Sequence, residues 1–154
     1  MEEIKDRCIS RKEYLKRDDS NVGYALHVQN NIKKDDYARF NTGEIVKVTG
    51  IRENQVNKKA IYFGAYDEDW CDSAAVENFS ENIIDLIEVG DYVNGYRIDN
   101  IINGVLVNRA VGIDRSGALT PIVQYEQDIK TILTKERYMQ NCYTVEGKEE
   151  WKKI

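Results

Sequence analysis

Apolar and polar positions along the chain fall into short runs separated by residues that favour turns. Ser10-Arg11-Lys12-Glu13 has the form of a capping box and predicts a short helix with Tyr14 and Leu15 on its buried side. Asp18-Asp19-Ser20-Asn21 breaks that helix. Val22 to Val28 reads as a strand bounded by Asn30-Asn31, and Tyr37 to Phe40 as another. Asn41-Thr42-Gly43 is a tight connection into Glu44 to Ile51, where polar and apolar side chains alternate. Glu53 to Lys58 is a polar loop, and Ala60 to Ala65 reads as a buried strand. Asp67 to Ser73 reads as an acidic loop, with Asp72 or Ser73 capping a short helix through Phe79. Ile83 to Val89 closes this first region.

The second half is punctuated more sharply. Gly90 to Val93 is a short strand, and Asn94-Gly95 turns it into Tyr96 to Ile102. Asn103-Gly104 then turns into Val105 to Arg109. Asn-Gly is a strong hairpin signal because both central residues of a type I′ turn need positive φ. Asp114 to Gly117 leads into Leu119 to Tyr125, where Pro121, the single proline, predicts a sheet edge. Ile129 to Leu133 is the expected closing strand, Thr134 caps a helix over Lys135 to Gln140, and Tyr143 to Val145 adds a last strand.

The halves echo each other. Asp36-Tyr37-Ala38-Arg39 followed by Gly43 is matched by Asp91-Tyr92-Val93-Asn94 followed by Gly95, and Asn82 to Ile87 by Asp128 to Leu133. A unit that recurs after some fifty residues, built of short strands and tight turns, predicts a mainly β (β-rich α+β) protein of two tandem small SH3-like β-barrel modules with short helices. The expected boundaries are a helix-and-strand extension over 1–31, an acidic first module over 32–88, a second module over 89–146 and a charged tail over 147–154.

Composition narrows the function classes. Of 154 residues 42% are apolar, enough for a packed core, though either module alone is small for independent stability. The modules are therefore expected to pack together or to form a homo-oligomer. The net charge of −5 argues against a surface devoted to nucleic-acid phosphates. Residues 41–88 hold 4 basic and 10 acidic side chains, so nearly all the excess lies in the first module. Cys8, Cys71 and Cys142 are too few and too scattered for a disulfide framework or a zinc pattern. Met1 to Asp6 lacks the apolar core of a signal peptide, and no run approaches a membrane span. A cytoplasmic protein without membrane contact is the expectation.

No catalytic motif emerges. His27 is the single histidine and reads as an ordinary strand residue, and the acid beside Cys71 would raise rather than lower its thiol pKa. Neither an enzyme nor a cofactor is expected. The weightiest feature is acidic: Asp67, Glu68, Asp69, Asp72, Glu77, Glu81, Asp85 and Glu88 follow one another without an intervening Lys or Arg. Tyr62, Tyr66, Trp70 and Phe79 are interleaved with them. One reading is a solvated loop and helix. The other is a docking surface for a protein with a basic surface, formed by Tyr62, Tyr66, Asp67, Glu68, Asp69, Trp70, Asp72, Glu77 and Glu81, in which aromatic residues anchor and carboxylates steer. Asp67-Glu68-Asp69 lacks the alternating ligands and glycine of a calcium loop, so no metal is assigned.

The segments Asn82-Ile83-Ile84-Asp85-Leu86-Ile87-Glu88-Val89-Gly90-Asp91-Tyr92-Val93-Asn94-Gly95-Tyr96-Arg97-Ile98 and Asp128 to Glu136 resemble a family of small uncharacterised proteins encoded by phages and prophages of Gram-positive bacteria, clostridia especially. The resemblance implies an accessory gene of a mobile element and transfers no activity or site residues. Such genes often encode inhibitors of bacterial immunity, so an anti-defence protein acting on a host nuclease, such as a CRISPR effector, is the leading expectation. Two alternatives stand beside it. One is a sponge for a nucleotide signal, with tyrosines, Arg97 and Arg109 lining a pocket. The other is a nucleic-acid-binding regulator, for which Lys33-Lys34 and the cluster Arg11, Lys12, Lys16 and Arg17 are the basic concentrations.

Overall fold

Hydroxyl caps start all three α-helices of the computed structural model, which describes residues 7–53, 59–63, 69–113, 115–117 and 119–142. Ser10 accepts from the Glu13 amide and opens α1 (Arg11–Arg17), as its capping box predicts. Thr134 accepts from the Arg137 amide and opens α3 (Lys135–Asn141), also as predicted. Ser20 accepts from the Gly23 amide at 2.9 Å and opens α2 (Asn21–Asn31), where the sequence reading expected a strand over Val22–Val28. The reason is visible in the pattern. Val22, Tyr24, Leu26 and Val28 alternate like a strand, yet they are also two i, i+4 pairs on a helix. The helix buries Tyr24 and Val28 and turns Val22 and Leu26 outward, 73% and 52% exposed.

Strands β1 (Tyr37–Phe40), β2 (Ile45–Glu53), β3 (Lys59–Phe63), β4 (Asp69–Asp72) and β5 (Val76–Ser80) make one antiparallel sheet in the order β4-β3-β2-β1-β5. The expected acidic loop at 67–73 thus contains a strand, because Asp69–Asp72 finds ladder partners in Ala60–Phe63. The expected helix through Phe79 stops after a single 3-10 turn at Ser73–Ala75, capped by Asp72, since Val76 onward pairs with β1 instead. Ile83–Leu86 is likewise a 3-10 turn and not a closing strand. Both helices α1 and α2 lie on one face of this sheet. Ile9, Tyr14, Tyr24 and Val28 share a core with Ala38, Val48, Ile61, Val76 and Phe79, so α1 and α2 are an integral layer of the first unit. His27 sits in that layer, on a helix and not on a strand. Its ring stacks on Tyr24 at 6.3 Å, and its Nε2 lies 3.0 Å from the Arg7 carbonyl.

The second unit holds two smaller sheets. β6 (Tyr92–Val93) lies between β7 (Tyr96–Arg97) and β11 (Ile132–Leu133), and β9 (Val105–Ile113) lies between β8 (Asn100–Ile102) and β10 (Leu119–Gln124). Both Asn-Gly hairpins form as predicted: Asn94 and Gly95 have φ of 54° and 84°, Asn103 and Gly104 50° and 76°. β10 is an edge strand, and its pairing register shifts directly after Pro121. The expected single strand from Tyr96 to Ile102 divides because the chain changes partners: Ile98 donates to the Asp91 carbonyl, whereas Asp99 donates to that of Val107. Ile87, Val93, Ile98 and Leu106 form the core of this unit. The architecture is therefore β-rich with short helices, but its sheets are open and no closed barrel forms among the described residues. The expected strand at 143–145 and the tail lie outside the described residues.

The sequence repeat has a structural counterpart. Asp36 follows Asp35 (φ 74°) and Asp91 follows Gly90 (φ 98°). Each aspartate carboxylate accepts from the backbone N–H three residues earlier, Lys33 and Glu88 respectively. Each aspartate carbonyl accepts from the facing segment, Asp36 from Val48 of β2 and Asp91 from Ile98 just after β7. Each carboxylate is also clasped by both ends of a guanidinium, Asp36 by Arg7 and Asp91 by Arg39. Ala38 and Phe40 point into the first core, while Arg39 between them points out of the opposite face and into the second unit. There it donates to the Leu86 carbonyl, Asp91 and Glu136. Burial opposes the charge on Arg39, but the Asp91 hydrogen bonds and the surrounding carboxylates outweigh it and hold its pKa above the ordinary value.

Candidate functional site

The described carboxylates of the acidic run have different partners. Asp67, Glu68 and Tyr66 lie outside the described residues, as do Tyr62's side-chain contacts; the register makes Tyr62 the cross-strand partner of Trp70. Asp72 is spent on capping, accepting from the Ala74 amide at 3.0 Å. Glu77 faces Arg11 at 3.3 Å, and Arg11 is strapped down by bonds to the Ala74 and Val76 carbonyls and lies over the Tyr24 ring. Asp85 accepts from the Ser80 hydroxyl at 2.6 Å. Glu88 is shared between Lys135 at 2.6 Å and Arg39 at 3.4 Å. Glu81 is exposed, with Arg7 at 3.9 Å as its cation. Glu77, Glu81 and Glu88 thus each have a cation nearby while staying open to solvent.

Among the described residues of the run, Asp69, Glu81 and Asp85 are exposed, and Asp69 stands next to exposed Trp70 on β4. This strand ends the sheet: β3 is its one ladder partner among the described residues. An edge strand offers a row of backbone donors and acceptors to an incoming chain. Alternation sets the two sides of this edge. Cys71 pairs with Ile61 and packs against the core, so Trp70 points to the opposite face, where it is 60% exposed. On the core side, the strand end meets the outward face of α2. Val22, Ala25 and Leu26 line a mostly apolar groove of about 370 Å³ with Asp72 and Ala74. The Gln29 amide ties this helix to the Ser73 hydroxyl at 2.9 Å. The sequence reading did not assign Val22 or Leu26 to the site. Their i, i+4 spacing beside a second such pair was the available signal.

Burial pushes the thiols of Cys8 and Cys71 up, away from the reactive thiolate. Among the described residues no group of three or more His, Cys, Asp and Glu side chains could hold a metal ion, and no helix is long and apolar enough to cross a membrane. Arg97 and Arg109 lie on separate strands, β7 and β9, with exposed side chains. No protein family, curated protein or solved structure matches the chain.

Proposed function

We propose that this chain is a non-catalytic binding protein that captures a protein partner with a basic surface along the β4 edge. The observation that carries the reading is Trp70, 60% exposed beside Asp69 on a strand that ends its sheet among the described residues. Large exposed aromatic residues are the commonest energetic anchors of interfaces. An extended segment added to β4 would gain main-chain hydrogen bonds and send alternate side chains toward Trp70 and toward the α2 groove. Asp69 and Glu81, with Asp67 and Glu68 adjoining in sequence, supply the charge that steers a basic partner.

The resemblance to phage and prophage accessory proteins supports a host defence effector, such as a CRISPR nuclease, as that partner and the bacterial cytoplasm as the place of action. The finer reading of each unit as an opened relative of an SH3-like barrel also fits, since small β-modules of that kind bind through exposed edges and faces. Affinity capture from a host extract tests the proposal. The natural sequence should retain a protein that elutes as ionic strength rises, and the Asp69→Lys/Trp70→Ala double variant should lose it. Equal retention by that variant would remove the edge from the account.

A further inference from the structure

The two units enclose a second recess, independent of the β4 edge. Its first wall is the outward face of the large sheet and the β1–β2 turn, with Tyr37, Glu44 and Ile45. The opposite wall is the Ile129–Leu133 segment and the exposed side of α3, with Lys130, Ile132 and Arg137. The space between is about 570 Å³, within the range of small-molecule sites.

The walls are held in place. The Arg39 clasp joins the units beside it. Gly43 approaches α3 so closely that a Cβ there would lie 2.5 Å from Thr134 Oγ1. The Gln140 amide donates to the Thr42 carbonyl at 3.1 Å. Asn94, the hairpin residue, accepts from the Lys130 and Thr131 amides at 2.9 and 3.0 Å and donates to the Asp128 carbonyl. The recess therefore exists before anything enters it, so little ordering accompanies binding.

Its chemistry is two-sided. Isoleucines 45, 83, 129 and 132 give it an apolar floor. Two cations and the Glu44 carboxylate also line it. Arg137 faces Glu44 at 3.9 Å through one guanidinium nitrogen and is 46% exposed, so most of its donors are open. Lys130 is exposed and forms no ion pair among the described residues. An apolar body would displace water from the floor, while an anionic end would take the open Arg137 and Lys130 donors.

We infer that this recess is a binding site for a small organic carboxylate with an apolar body. The test is a titration of the full chain with 3-phenylpropionate, followed through backbone amide chemical shifts, with 3-phenylpropionamide as the uncharged comparison. A ligand of this size in a preformed site has an expected Kd of about 1 mM. Saturable shifts should cluster at Ile45, Ile132, Leu133 and Arg137. Binding should weaken about tenfold for the amide and for the Lys130→Gln/Arg137→Gln variant, through loss of charge-assisted hydrogen bonds. Leu26→Ser, in the α2 groove, should leave it unchanged. The inference is overturned by shifts that fail to saturate, by shifts centred on α2, or by equal affinity for acid and amide. Equal affinity of natural protein and double variant, both folded by circular dichroism, would overturn it as well.

Discussion

Arg39→Met is the most informative single perturbation of the fold. Arg39 is 1% exposed and Asp91 0%, so their pairing is sealed from water. The guanidinium donates to Asp91 Oδ2 and Oδ1 at 2.5 and 3.0 Å, to the Leu86 carbonyl at 2.9 Å and to Glu136 at 2.7 Å. Methionine keeps most of the volume and removes every donor. Asp91 retains its backbone partners, Glu88 and Lys135, but loses its counter-charge. Leaving one member of a buried pair behind costs about 3–5 kcal/mol. Glu136 and Glu88 are 33% and 41% exposed and can relax into solvent, so each adds less than about 1 kcal/mol. At about 3 °C per kcal/mol for a chain of this size, the midpoint should fall by about 10–15 °C. Thermal and urea unfolding followed by circular dichroism would measure it. Asp91→Asn on the Arg39→Met background should be far less damaging than the sum of the single changes, with a coupling of about 2–3 kcal/mol. A loss below about 1 kcal/mol for Arg39→Met, the range of an exposed pair, or additivity within about 0.5 kcal/mol would refute the clasp as the joint between the units.

Further outcomes follow from other parts of the structure. Gly43→Ala and Gly95→Ala both force an alanine to positive φ, at a cost of about 1–2 kcal/mol; Gly43→Ala should cost clearly more, because its Cβ would strike Thr134 and Glu136 whereas Gly95 has open space, and urea midpoints would compare them. Burial holds the Tyr24 phenol neutral well above its ordinary pKa, and its hydroxyl donates to the Ile9 carbonyl at 2.7 Å. In the unfolded chain that group ionises near pH 10, so its stabilisation should be complete below about pH 10 and decline as pH rises beyond it, with Tyr24→Phe flattening the alkaline limb of the unfolding midpoint. Val22→Ser and Leu26→Ser should change unfolding free energy by no more than about 0.5 kcal/mol, since both side chains already face water.

Local signals were read correctly where the chain decides matters over three or four residues. The Ser10 and Thr134 caps, the two Asn-Gly hairpins and the edge placement of Pro121 all depend on neighbours in sequence. The misreadings share another cause. The period of Val22 to Val28 fits a strand or a helix, and the core beneath Tyr24 and Val28 decides between them. Asp69–Asp72 has poor strand character of its own and is a strand because β3 offers a partner. The Asp36 and Asp91 echo was plain in the sequence, but its meaning was not, because the clasping arginines stand 29 and 52 residues away. Distance also hid the ion pairs of the acidic run: Glu77 and Glu88 meet Arg11, Arg39 and Lys135, cations that no local window contains.

The β4 edge is tested most directly by amide hydrogen exchange on the complex recovered by affinity capture. Protection should rise at the alternate β4 amides that point away from β3 when the partner is bound, because an added strand would occupy those donors. Unchanged exchange across β4, with new protection confined to another surface of the chain, would contradict the proposal.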